Sequence, residues 1–220
     1  MASRSQVKEG IILKKIFILA AAAVLIAAGG RQYQRHKMTE EIAEKIIRFH
    51  VLANSDSEED QQLKLEVRDA IGSFMQPKLA GVSDIEKSRQ IVKENLTAIE
   101  KEAEKVISEK GYTYTVSARL DEIDFPEKTY GSYTFQAGTY ETLEVTIGNG
   151  GGHNWWCVMY PNLCFFNSTY EVVEEEAEKS LERVLTPEEY KSLMENKEYE
   201  VKFALVDFWK DIKEAVAIFD

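Results

Sequence analysis

The side chains best equipped for chemistry lie in one stretch, Gly150-Gly151-Gly152-His153-Asn154-Trp155-Trp156-Cys157-Val158-Met159-Tyr160-Pro161-Asn162-Leu163-Cys164-Phe165-Phe166-Asn167. It holds both cysteines of the 220-residue chain, two of its three tryptophans and one of its three histidines. His153 beside Cys157 suggests a cysteine nucleophile with its base, the core of an exported thiol- or metal-dependent hydrolase. Such a thiol must stay free and have a lowered pKa. Zinc is poorly served, because His153, Cys157 and Cys164 make three ligands at no familiar spacing where a structural site takes four. The glycines from Gly148 to Gly152 lack the lysine and serine that would hold a phosphate. There is no G-x-S-x-G, no H-E-x-x-H, no Walker loop and no Rossmann fingerprint. No catalytic, cofactor or metal residue is therefore assigned, and no cofactor or small-molecule substrate is implied.

The first thirty residues stand apart from any fold. Arg4, Lys8, Lys14 and Lys15 precede an uncharged run from Ile16 to Gly30, whose apolar part ends at Ala28. As a helix that part is roughly 20 Å long, short of a hydrocarbon core of about 30 Å. A basic start, a short apolar run and the small residues Ala27-Ala28-Gly29 describe a signal peptide. A signal anchor is the competing reading, with the span reaching back to Ile11 if Lys14 and Lys15 snorkel. The expected organisation is residues 1–30 as signal or anchor, 31–45 as linker and short helix, and 46–220 as a single exported domain. Outside the cytoplasm, two cysteines so spaced read as a disulfide, Cys157 to Cys164, rather than as a redox or metal pair. Formal charge is −11, and removing residues 1–30 leaves 23 basic against 37 acidic side chains, or −14. Such a surface argues against nucleic acid as a partner and against docking of the folded domain on an anionic membrane. Membrane contact is expected only through residues 1–30.

The elements that must position the aromatic stretch follow from periodicity. Thr39 caps a short helical pattern through Ile46. Ile47, Phe49, Val51 and Ala53 alternate with Arg48, His50 and Leu52, a strand. Asn54-Ser55-Asp56-Ser57 is a turn that also caps, with Asp56 and Glu59 as the box. A helix follows with Leu63, Val67, Ala70, Ile71 and Phe74 on one stripe, and Pro77 ends it. A second helix opens at Ser83 and Glu86, carries Ile85, Val92, Leu96, Ile99, Ala103, Val106 and Ile107 as its buried stripe, and closes at Gly111. The two form an antiparallel hairpin. From Tyr112 the period is two, giving strands at 112–120, 130–135, 142–147 and 155–160. Tyr170 to Val184 returns to helix, and Thr186-Pro187-Glu188-Glu189 starts another. Tyr199 to Phe208 reads as a last strand and Trp209 to Phe219 as a closing helix. The expected fold is α+β, a mostly antiparallel sheet with helices packed on one side.

Adjacent tryptophans on a strand point to opposite faces, so one of Trp155 and Trp156 is free for a partner while the other fills a core. Aromatic residues that face solvent anchor protein contacts. A binding or signalling role therefore outranks catalysis. A cell-surface structural role is a third reading.

Two blocks carry a resemblance. One runs Arg48-Phe49-His50-Val51-Leu52-Ala53-Asn54-Ser55-Asp56-Ser57-Glu58-Glu59-Asp60-Gln61 and on through Leu63-Lys64-Leu65 and Val67-Arg68-Asp69-Ala70. The other runs Gly152-His153-Asn154-Trp155-Trp156-Cys157-Val158-Met159-Tyr160-Pro161, then Leu163-Cys164-Phe165. Together they resemble the stage II sporulation protein R family of endospore-forming bacteria. The resemblance implies a signalling protein without catalysis of its own, made in the forespore and secreted between the forespore and mother-cell membranes. Its partner there is the membrane-embedded sporulation sigma-E factor processing peptidase, an aspartic peptidase that cleaves the sigma-E precursor once triggered. The expected partner-facing residues are His50, Asn54, His153, Asn154, Trp155 and Trp156.

Overall fold

The structure, a computed structural model, describes residues 4–163 and 174–194, with side chains from residue 22 and, in the second stretch, from 177. In chain order the elements are α1 (Arg4–Ala43), β1 (Ile47–Leu52), α2 (Glu58–Leu79), α3 (Ile85–Glu109), β2 (Val116–Phe125), β3 (Lys128–Tyr130), β4 (Tyr133–Phe135), β5 (Gly138–Ile147), β6 (Asn154–Tyr160), α4 (Glu174–Glu182) and α5 (Pro187–Met194). The expected strand at 199–208 and helix at 209–219 lie outside the described residues.

The fold is α+β, with a main sheet in the order β2-β5-β1-β6. β2 pairs antiparallel with β5 and β6 antiparallel with β1, but β1 and β5 run parallel. The sheet is therefore mixed, which corrects the expectation of a mostly antiparallel one. Parallel neighbours need a long crossover. Here α2, α3, β2 and the β3–β4 hairpin supply it.

Helices on one side is corrected too. On one face Ile47, Phe49, Val51, Leu143, Val145 and Ile147 pack against Leu63, Val67, Ile71 and Met75 of α2 and Val92, Ile99 and Ala103 of α3. The opposite face carries a second core in which Tyr140 and Val158 meet Ile42 of α1, Phe135 of the hairpin, Leu181 of α4 and Leu193 of α5. Both faces of β1 are buried, so its polar alternates Arg48 and His50 are sealed in as well, at 0% and 3% exposure.

The helix ends shift from the sequence reading. Ser57, not Asp56, caps α2, its hydroxyl accepting from the Asp60 amide at 3.2 Å. Asp84 rather than Ser83 caps α3. Pro77 lies inside α2, two residues before its end. The expected strand at 130–135 is two short strands folded about Gly131. The expected linker after residue 30 is helical, because α1 runs unbroken to Ala43. Among the residues with described side chains, which in α1 begin at residue 22, no helix is long and apolar enough to cross a membrane.

Candidate functional site

β1 and β6 lie side by side, with His50 opposite Trp156, Val51 opposite Trp155 and Leu52 opposite Asn154. The two sequence blocks are thus neighbours in space, and the turn leaving β1 meets the glycine loop entering β6. The Gly152 amide donates to the Ala53 carbonyl at 3.0 Å and the Gly151 amide to that of Asn54 at 3.2 Å. The Asn149 amide donates to Asn54 Oδ1 at 3.1 Å. Asn54 Nδ2 and Ser55 Oγ in turn donate to Asp60, at 2.9 and 2.5 Å. Asp60 stays ionised below the usual carboxylate range: its burial opposes this, but bonds from Ser55 and Asn54 outweigh it.

The glycines allow that approach. Gly148 sits at φ +57°, in the left-handed region. At Gly152 a β-carbon would stand 2.5 Å from the carbonyl carbon of Ser55 and 2.9 Å from Gln61 Nε2. The glycine run is a close-contact seam between two loops.

His153 rides on this seam. Its amide donates to Asp56 Oδ1 at 2.6 Å and its ring Nδ1 bonds the same oxygen. The hydrogen bond from the His153 side chain is the main reason the Asp56 carboxyl is held below its ordinary range. Buried Lys64 donates to the His153 carbonyl at 2.9 Å and to Gln61 Oε1 at 2.6 Å. The imidazole itself is 79% exposed, and Asn154 is exposed beside it. Of the expected partner-facing residues, these two point outward.

The others are built into the body of the domain. Trp155 is half-buried on the α2 face, edge-on to Phe49 at 5.6 Å and under the Arg68 guanidinium at 4.9 Å. Trp156 is half-buried on the opposite face, stacked on the His50 ring at 3.9 Å with Phe125 against its edge at 4.4 Å. Both indoles are thus core-attached. Asn54 is the latch just described. Burial lowers the His50 pKa to about 4, so the ring is neutral, with Glu144 Oε2 3.6 Å from Nδ1. Cys157 is 2% exposed and disulfide-bonded. Cys164, the chain's other cysteine, lies outside the described residues. Four strand positions separate His153 from Cys157, about 13 Å, so the pair does not meet as base and nucleophile. Among the described residues no group of three or more His, Cys, Asp and Glu side chains could hold a metal ion.

Sequence reasoning missed Arg48. Its guanidinium sits 4.2 Å from the Phe125 ring centre and within 5.6 Å of those of Tyr140, Phe135 and Tyr130. NH2 donates to the Tyr130 hydroxyl at 3.0 Å, while among the described residues Nε and NH1 have no hydrogen-bond partner. Burial pushes Tyr130 up to about 12 and Tyr140 upward, so neither supplies a phenolate. Burial also pulls the arginine downward. The signal was present as an arginine within an apolar strand followed by many aromatics, but strand alternation alone assigned it to an open face.

The fold and the site define an α+β domain whose centre is a seam joining two distant sequence blocks. The chain matches the stage II sporulation protein R family over residues 43–170. It is 36% identical over 220 residues to stage II sporulation protein R of Bacillus subtilis (strain 168), covering 93% of this chain and 98% of that protein. The chain belongs to the stage II sporulation protein R family. No solved structure matches it.

Proposed function

We propose that this chain is a secreted messenger of sporulation that switches on a membrane-embedded aspartic peptidase, leading to cleavage of the sigma-E precursor. Family membership supports the sporulation role. The observation that carries the contact reading is the locked seam, which fixes His153 and Asn154 outward on a backbone whose amides make four hydrogen bonds to the facing loop. A pre-ordered protrusion loses little entropy on binding, which suits a signal that acts by touch. Its rim is the half-buried edge of Trp156, an aromatic of the kind that anchors interfaces.

The test reconstitutes the full chain with the peptidase and its precursor substrate. A folded double variant, His153→Ala with Asn154→Ala, is expected to lose precursor cleavage. Full cleavage by that variant removes the seam as the contact. No cleavage with the unaltered chain removes the activator role.

A further inference from the structure

Every residue of α1 from 22 to 37 is exposed. Val24, Leu25, Ile26 and Tyr33 are 63, 72, 75 and 69% exposed, and among the described residues only Met194 joins them as a large exposed apolar side chain. A helix that is apolar around its circumference does not belong in water. The sequence run of which Val24–Ile26 is part begins at Ile16, before the first described side chain, and ends at Ala28. Arg31, Tyr33, Arg35 and Lys37 follow it, the basic and aromatic pattern of a bilayer edge. The helix then enters the domain without a break, with Thr39 and Ile42 buried. It enters at a defined place: a β-carbon on Gly138, the first residue of β5, would lie 3.1 Å from Thr39 Cγ2. Because β1 and β5 are parallel, both start at that end of the sheet, and both finish at the seam.

We propose that a lipid bilayer takes up the apolar part of α1, which stays attached, and that the uninterrupted helix is a stalk fixing the domain's orientation. The starts of β1 and β5 face that bilayer and the seam faces away. The ten-residue rise from Ala28 to Met38 is about 15 Å, and the length of β1 adds about 20 Å. An upright stalk therefore holds the seam on the order of 30–35 Å above its own membrane. The excess negative charge of residues 31–220 keeps the domain off an anionic surface.

The test uses the full chain in vesicles of phosphatidylcholine and phosphatidylglycerol carrying an acceptor-labelled lipid. A donor dye is placed at Glu44→Cys or at Glu59→Cys, both exposed positions, one near each end of the sheet. Strong energy transfer is expected from position 44 and weak transfer from 59, corresponding to a difference of about 20 Å. Equal transfer overturns the orientation. A chain that fails to float with the vesicles, or is recovered with a new N-terminus after Ala28, overturns the stalk. Replacing residues 31–36 by a Gly-Ser segment of equal length is expected to narrow the difference between the two positions; an unchanged difference overturns the helix as the rigid part. No peptidase is present, so failure of activation and failure of the stalk are read separately.

Discussion

Replacing Gly152 with alanine strikes the seam at its tightest point. The new β-carbon would stand 2.5 Å from the Ser55 carbonyl carbon, a backbone atom that cannot rotate aside, and 2.9 Å from Gln61 Nε2. Relieving the overlap means parting the two loops. Forced packing of this kind costs about 1–3 kcal/mol. Parting them also weakens the bonds from Gly151 to Asn54 and from Gly152 to Ala53, each contributing about 1 kcal/mol. The combined loss is about 2–4 kcal/mol, allowing for partial relaxation. For a chain of this size that lowers Tm by about 6–12 °C. Gly151→Ala is the matched control, since a β-carbon there meets the Asn54 carbonyl at 3.4 Å, an ordinary contact. Urea unfolding of both variants, with hydrogen exchange at residues 148–153, measures the difference. If Gly152→Ala and Gly151→Ala unfold at the same urea concentration, the close approach is not what holds the loops.

Three further outcomes follow from the same geometry. Arg48→Met keeps length without charge and is expected to stay within about 1–2 kcal/mol of the parent, because a buried cation with no carboxylate partner among the described residues is costly to desolvate. Arg48→Lys loses the flat face stacked among four rings and is expected to be destabilised by about 2–4 kcal/mol in urea unfolding; the reverse order would mean the rings hold the charge more strongly than burial opposes it. His50 takes up a proton at about 4 when folded and near its ordinary 6.5 when unfolded. The unfolded chain therefore binds more protons in that window, so stability falls as pH drops from 6.5 toward 4, and His50→Gln is expected to flatten that part of the curve. Trp155→Ala and Trp156→Ala each remove a half-buried ring and are expected to cost about 2–3 kcal/mol, whereas His153→Ala is expected to change unfolding by less than about 0.5 kcal/mol. Equal effects at all three positions would mean the indoles are not core-attached.

The helices α2 and α3 were legible because their buried stripes are complete within each segment and their caps are local. β1 was legible as a strand for the same reason. Its second buried face was not, since Arg48 and His50 look like solvent-side alternates until the aromatic hairpin and Trp156 are folded over them. The parallel pairing of β1 with β5 joins residues some ninety positions apart and leaves no local trace. The residues read as a polar linker, 31–38, continue α1 because nothing there stops a helix: no proline follows, and a Gly-Gly pair weakens a helix without ending it. Both halves of the seam stood out by composition. That they form one object did not, because His153 and Asp56 are 97 positions apart and their contact exists only in three dimensions.

That separation makes the seam a certificate of completed folding. β1 must find a strand from the far side of the helical hairpin on one edge and β6 on the other before the two loops can touch, so these contacts carry a high loop-closure cost. A chain truncated before β6, or collapsed on its helices alone, displays no such seam. The seam closes only once β6, the last strand among the described residues, has paired with β1.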